Sequence, residues 1–216
     1  MYSGGMQITK LGHCCLVLEI NGVRLLTDPG TFTTTQNELT GLDIVLITHE
    51  HADHYHLESL QAVLKNNPRA VIVTNGAVGK LLEAEGIPYI HVGDGESTEV
   101  KGVVIDGFGR DHAPIYEEMG LVENTGYLVA GSFYFPGDSF HNPNKKIDVL
   151  ALPVAAPWMK MSDAIHFAKE VNARVAFGVH DGMILPSFRG FVGMALKMFV
   201  PGTEYISLTD GETREF

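Results

Sequence analysis

The sequence predicts an α/β protein in which two β-rich halves pack as face-to-face sheets between outer layers of helices. Three observations predict it. Short apolar runs rich in Val, Ile and Leu recur along the 216 residues. In the last third they alternate with segments of helical length. One pattern also occurs twice. Arg24-Leu-Leu-Thr-Asp28-Pro-Gly precedes Leu42-Asp43-Ile-Val-Leu-Ile-Thr-His49, and Ser132-Phe-Tyr-Phe-Pro-Gly-Asp138 precedes Ile147-Asp148-Val-Leu-Ala-Leu-Pro. In each copy a short strand ends in an Asp-containing turn, and a buried strand led by Asp follows.

The elements follow in order. Met6–Lys10, Cys14–Ile20 and Val23–Thr27 read as strands, the last two joined by Asn21-Gly22, a strong two-residue hairpin turn. Asp43–Thr48 is a buried strand, followed by a helix over Leu57–Asn66 and a strand over Ala70–Thr74. A helix over Gly79–Glu85 should stop at Gly86. Strands are expected over Glu99–Phe108, Gly126–Ala130 and Ser132–Phe135. Then come strand Asp148–Pro153, helix Ser162–Val171 with Ser162 as N-cap, strand Arg174–Val179, helix Phe191–Phe199 and strand Glu204–Leu208. The length suits a single domain over residues 1–216, with no linker or low-complexity tract.

Composition narrows the function classes. The apolar fraction of 45% is that of a globular chain. No apolar run approaches the roughly 18 residues that span a bilayer, and the N-terminus lacks a basic signal region, so a cytoplasmic location without membrane attachment is expected. The net charge of −11 argues against a nucleic-acid partner, which needs a basic patch. The two cysteines, Cys14 and Cys15, are adjacent and should face opposite sides of a strand, reduced and buried.

Thr48-His49-Glu50-His51-Ala52-Asp53-His54 carries the most chemistry. Three imidazoles and the Asp53 carboxylate lie within six positions at a strand end, which is the donor set that metal cations want. By chance, H-x-H-x-D-H should arise in roughly one such sequence in a thousand. In an extended segment His49 and His51 point to one side and can reach one ion, while Asp53 and His54 face a second position beside it. Six residues cannot complete either coordination sphere, so further ligands must come from distant sequence. His112, Asp138 and His180 each stand where an apolar strand meets a loop, as His49 does. His91, His141 and His166 lack that setting. His56 is expected at an exposed helix start, and His13 beside the ligands rather than among them.

Together, Asp28 in Thr27-Asp28-Pro29, the motif from His49 to His54, His112, Asp138 in Gly137-Asp138-Ser139, and His180 resemble the metallo-β-lactamase superfamily in kind and order, over about residues 8–185. Leu11-Gly-His13, Leu26-Thr-Asp28-Pro29, and Leu152-Pro153 followed by Met161-Ser-Asp163-Ala164 look like its compact branch, which includes ascorbate-6-phosphate lactonase-like proteins. The resemblance implies an α+β-type αββα four-layer sandwich of two mixed β-sheets flanked by helices. It implies His49, His51 and His112 on one metal, Asp53, His54 and His180 on the other, Asp138 bridging, and Asp28 supporting the His49–His54 loop from behind. Asp181 departs from the branch, whose members often carry an aromatic residue there.

The expected cofactors are two divalent ions, zinc first, with manganese or iron as alternatives. Two such ions, two carboxylates and a hydroxide sum to about +1, a cationic pocket suited to an oxygen-rich or anionic small molecule. The expected activity is hydrolysis of a small ester, lactone or phosphodiester by hydroxide generated between the metals, with Asp53 orienting it or moving its proton. The competing readings are a metal or ligand sensor, a nuclease, and a di-iron redox protein, the last disfavoured by His51. Trp158 and Met159 could line the pocket, and Arg110, Lys160 and Arg189 could meet a substrate anion. Gly30-Thr-Phe-Thr-Thr-Thr35 is expected as a mobile loop nearby. Self-association stays open.

Overall fold

Two seven-stranded sheets stack against each other in the computed structural model, which describes residues 5–216. The first sheet takes β1 (Gln7–Gly12), β2 (Cys15–Ile20), β3 (Val23–Thr27), β4 (Ile44–Ile47), β5 (Val71–Thr74) and β6 (Ile90–His91) in chain order. The second takes β7 (Ser97–Val100), β8 (Val103–Phe108), β9 (Gly126–Val129), β10 (Phe133–Phe135), β11 (Val149–Pro153), β12 (Val175–Val179) and β13 (Glu204–Ile206), also in order. β14 (Thr213–Glu215) returns to pair antiparallel with β1. Helices α1 (Leu57–Asn66) and α2 (Gly76–Ala84) cover the first sheet, and α3 (Met161–Val171) and α4 (Pro186–Phe199) the second.

Alternation along the strands builds the layers. Ile44 and Leu46 of β4 enter the core between the sheets with Phe133, Phe135, Val149 and Phe177 of the second sheet. Val45 and Ile47 turn the other way, onto Leu60, Val63 and Leu82 of the helices. A strand buried on both faces reads as a continuous apolar run, and β4, β11 and β12 do. Cys14 and Cys15 divide between the two sides as expected, and both are free thiols.

The repeated pattern is a repeated topology. β3 pairs parallel with β4 (Leu25 with Ile44), and β10 parallel with β11 (Phe133 with Val149). Each sheet opens with antiparallel strands and ends with parallel ones. As a result β1, β3, β4, β8, β10, β11 and β12 all end at one edge of the sandwich.

Several element bounds differ from the sequence reading, each for a local reason. The run Glu99–Phe108 is a hairpin, β7 and β8, turned at Lys101-Gly102 with both φ positive, 52° and 81°. Lys-Gly is a weaker turn signal than Asn-Gly. α2 starts at Gly76, because Asn75 accepts a hydrogen bond from the Val78 amide. Ser162 is not the N-cap of α3: Lys160 holds that place and its amide donates to the Asp163 carboxylate at 2.7 Å. α4 starts at Pro186, a residue suited to a first helical turn.

Candidate metal centre

The shared edge brings together every residue singled out for metal binding. His49, His51, His112 and Asp138 offer ligand atoms within 4.8 Å of one another, and so do His13, Asp53, His54 and His180. Asp138 joins the two groups, with Oδ2 2.9 Å from His180 Nε2 and 3.3 Å from His112 Nε2, and Oδ1 3.2 Å from His54 Nε2. His49 Nε2 lies 3.1 Å from His51 Nδ1. His91, His141 and His166 lie outside both groups, and His91 is paired with Glu96 on the surface.

Hydrogen bonds from outside decide which ring nitrogen faces inward. His54 Nδ1 donates to Asp28 Oδ2 at 2.7 Å, His112 Nδ1 to the Ala113 carbonyl at 2.5 Å, and His180 Nδ1 to the Ala155 carbonyl at 2.6 Å. His49 Nδ1 donates at 3.0 Å to the Thr48 hydroxyl, whose own proton goes to Asp28. These four imidazoles therefore turn Nε2 to the centre, the nitrogen a metal would take once any proton on it is displaced. The Nε2 atoms of His54, His112 and His180, with Asp138 Oδ1, are buried and have no hydrogen-bond partner. Buried polar atoms without hydrogen-bond partners are costly in a low-dielectric site, and imidazole nitrogens gathered around a carboxylate are a donor set that fits divalent metal ions.

His13 is arranged the opposite way. The Gly182 amide donates to its Nδ1 at 3.1 Å, so the inward Nε2 carries the hydrogen and donates to Asp53 Oδ2 at 3.2 Å. A protonated nitrogen orients a ligand and does not itself coordinate. His13 is thus placed behind Asp53. Phe32 stacks on its ring at 4.2 Å between centroids.

Asp28 is fully buried and receives the Thr48 amide and hydroxyl, each at 2.8 Å, besides His54. His13, Asp28 and His180 all adopt left-handed backbone (φ 53°, 36° and 58°), a conformation that concentrates at functional sites. Gly30 lies flat on the motif: a Cβ there would sit 1.9 Å from the Asp53 carbonyl oxygen. The Thr31 amide donates to Ala52 O, and Gln36 Nε2 to Gly30 O. The Gly30–Thr35 segment is therefore tied to the motif at its base.

Charge follows from this packing. Burial and the nearby His54 charge hold the His49 imidazole well below its usual range. Burial also pulls His54 and His180 down, but the facing carboxylates outweigh it; His54 rises well above the usual value and His180 to about 9. Burial pushes the Asp53 and Asp138 carboxyls up, yet the surrounding imidazoles hold both well below the carboxylate range.

Sequence reasoning named Trp158 as a possible pocket residue but missed Lys10. Trp158 Nε1 donates to Asp138 Oδ2 at 3.0 Å, so it touches the centre directly. Asp181 accepts from Lys10 Nζ at 2.7 Å with each oxygen, and Arg189 Nε lies 3.1 Å from it. Arg189 is thereby engaged, and Arg110 pairs with Asp94 at the surface. Lys10 could have been found from β1 itself, where it shares the inward register of Ile8 and Gly12.

Known proteins resemble this chain in sequence and in fold. The family described as Beta-lactamase superfamily domain matches residues 7–180. "Protein Rv0786c" of Mycobacterium tuberculosis is 38% identical over 192 residues, covering 86% of this chain and 88% of its own length. "UPF0173 metal-dependent hydrolase MK1542" of Methanopyrus kandleri is 27% identical over 201 residues, covering 84% and 86%. The solved structure of Igni18, a metallo hydrolase from the archaeon Ignicoccus hospitalis, superposes with a TM-score of 0.77 at 19% identity over 99% of both chains. Among the described residues no helix is long and apolar enough to cross a membrane.

Proposed function

The chain belongs to the beta-lactamase superfamily and is a metal-dependent hydrolase; we propose that it works with two divalent ions and cleaves a small ester, lactone or phosphodiester. The observation that carries the reading is the ring of inward, buried Nε2 atoms around Asp138. His49, His51 and His112 would hold one ion, Asp53, His54 and His180 the other, and Asp138 both. Five imidazoles and two carboxylates suit zinc first, then manganese or iron. Bound there, two divalent ions would make a water molecule acidic enough to attack at neutral pH and polarise the scissile carbonyl or phosphoryl oxygen.

The protein's own groups do the rest. Asp28 and the Ala113 and Ala155 carbonyls fix the rings, so the ligands are aimed before any substrate arrives. Asp53, whose side chain is 22% exposed, is the carboxylate of the pair that reaches the open side. Held by His13 and kept ionised, it would orient the attacking water toward the substrate and take part in moving its proton. Two carboxylates against four metal charges leave the pocket cationic inside a chain of net charge −11, which favours an oxygen-rich or anionic head group.

The test is elemental analysis of the purified protein together with an ester, lactone and phosphodiester panel. About two metals per chain and metal-dependent turnover of one class are expected. His51→Ala should abolish that turnover with the fold intact. An undiminished rate in this variant, or no metal after reconstitution, would remove the assignment.

A further inference from the structure

Beside the centre lies a groove of about 510 Å³, walled by Val154, Met159, Met161, Met183, Ile184 and Phe188, with Lys160 as its cationic lining residue. Its volume falls within the range of about 300–1,000 Å³ usual for small-molecule sites. Two observations join it to the chemistry. Ala155, part of its wall, accepts the hydrogen bond that aims His180. Trp158, between the wall residues Pro157 and Met159, donates to Asp138. The groove and the metal centre thus share the loop after β11.

The lining is adaptable and apolar. Thioether side chains fill irregular space and take up flexible guests readily. The apolar track also continues outside. Phe188 stands on a stripe of α4 with Phe191, Met194 and Met198, and Leu185 lies just before the helix; each is 46% to 73% exposed. A site for a purely polar substrate has no use for such a wall next to its ligands.

From this we infer that the substrate is amphiphilic: its scissile, oxygen-rich head meets the metal centre, and a flexible alkyl or acyl chain lies in the groove between Met159 and Phe188. The inference rests on the hydrolytic reading above and names the substrate class of that same centre. Lys160 at the groove is placed for a negative charge on such a molecule.

The test uses zinc-loaded protein and straight-chain carboxylates from acetate to decanoate, followed by the fluorescence of Trp158, the single tryptophan. Affinity should rise by about two- to fourfold per methylene, as expected for partial to full burial of each group. Met183→Ser and Phe188→Ser, both at partly exposed positions, should flatten that slope, whereas Leu81→Ser on α2 should leave it. A flat series in the unaltered protein would overturn the inference. So would a slope indifferent to the groove variants, or sedimentation showing a second copy seated over the groove with no slope. Ester hydrolysis by acyl length separates the two readings. A binding slope without turnover of any ester, lactone or phosphodiester keeps the groove and removes the hydrolysis of that panel; turnover without a slope does the reverse.

Discussion

Asp28 and Asp138 end equivalent strands, β3 and β10, in the two halves of the molecule, yet they face opposite tasks. Asp28 is enclosed by donors: the Thr48 amide and hydroxyl and His54 Nδ1 take up its oxygens. Asp138 faces the Nε2 atoms of three imidazoles, those of His54, His112 and His180, at 3.2, 3.3 and 2.9 Å. The same local device therefore encloses one carboxylate behind the imidazoles and sets the other among them. What differs is the loop that follows. After β4 it carries the whole histidine motif and wraps over Asp28; after β11 it brings only Trp158 and the Ala155 carbonyl. Gly137 keeps the two turns together, since a Cβ there would fall 2.7 Å from Thr48 Cβ.

Changing each carboxylate should separate the two roles. Asp138→Ala should have the largest effect, reducing bound metal below two per chain by elemental analysis and turnover to background. If metal content and rate survive, Asp138 is not a shared ligand. A third carboxylate, Asp181, supplies the contrast of a purely structural role. Lys10→Met leaves it buried beside Arg189 without its lysine and should destabilise the fold by about 3–5 kcal/mol in denaturant titration. Restoration by a second change, Asp181→Leu, would assign that loss to the stranded charge.

Asp28→Asn should keep the fold and lower metal affinity or activity by roughly 10–100-fold, the usual range for a group that orients a ligand. A loss as deep as that of Asp138→Ala would erase the distinction between the two turns. Trp158→Phe removes one donor from Asp138 and should cost at least about tenfold in activity, the lower end of the about 1.5–3 kcal/mol that a hydrogen bond to a charged group contributes. Metal loading offers a smaller, calorimetric reading. His54 and His180 are raised above their ordinary values in the metal-free protein, so both carry protons at pH 7 that zinc must displace. About two protons should be released at pH 7, and fewer once pH passes the His180 value of about 9. Equal release at pH 7 and pH 10 would contradict the carboxylate-raised imidazoles.

Much of this was legible in residue order. The motif from His49 to His54 announces metal chemistry because its donors are neighbours in sequence, and the paired turns at Asp28 and Asp138 announce two related halves. Periodicity placed most strands and the cores of the helices, since a strand buried on both faces must be apolar throughout. The places where bounds slipped, Lys101-Gly102 and the starts of α2, α3 and α4, depend on single capping or turn bonds rather than on a pattern.

The sequence by itself determined the donor set, the family and the doubled architecture, because those rest on residue type and spacing along one chain. Only the tertiary structure decided which imidazole nitrogens are free. His13 and His54 are both buried histidines at the same edge; the Gly182 amide leaves the hydrogen of one on its inward Nε2, and Asp28 takes the outward Nδ1 hydrogen of the other. It also decided that Trp158 touches Asp138, that Lys10 answers Asp181 across 171 positions, and that an apolar groove shares a loop with the centre. Those facts depend on which strand ends meet at one edge of the sandwich. Hydrogen bonds between residues far apart in sequence leave no local signature to read.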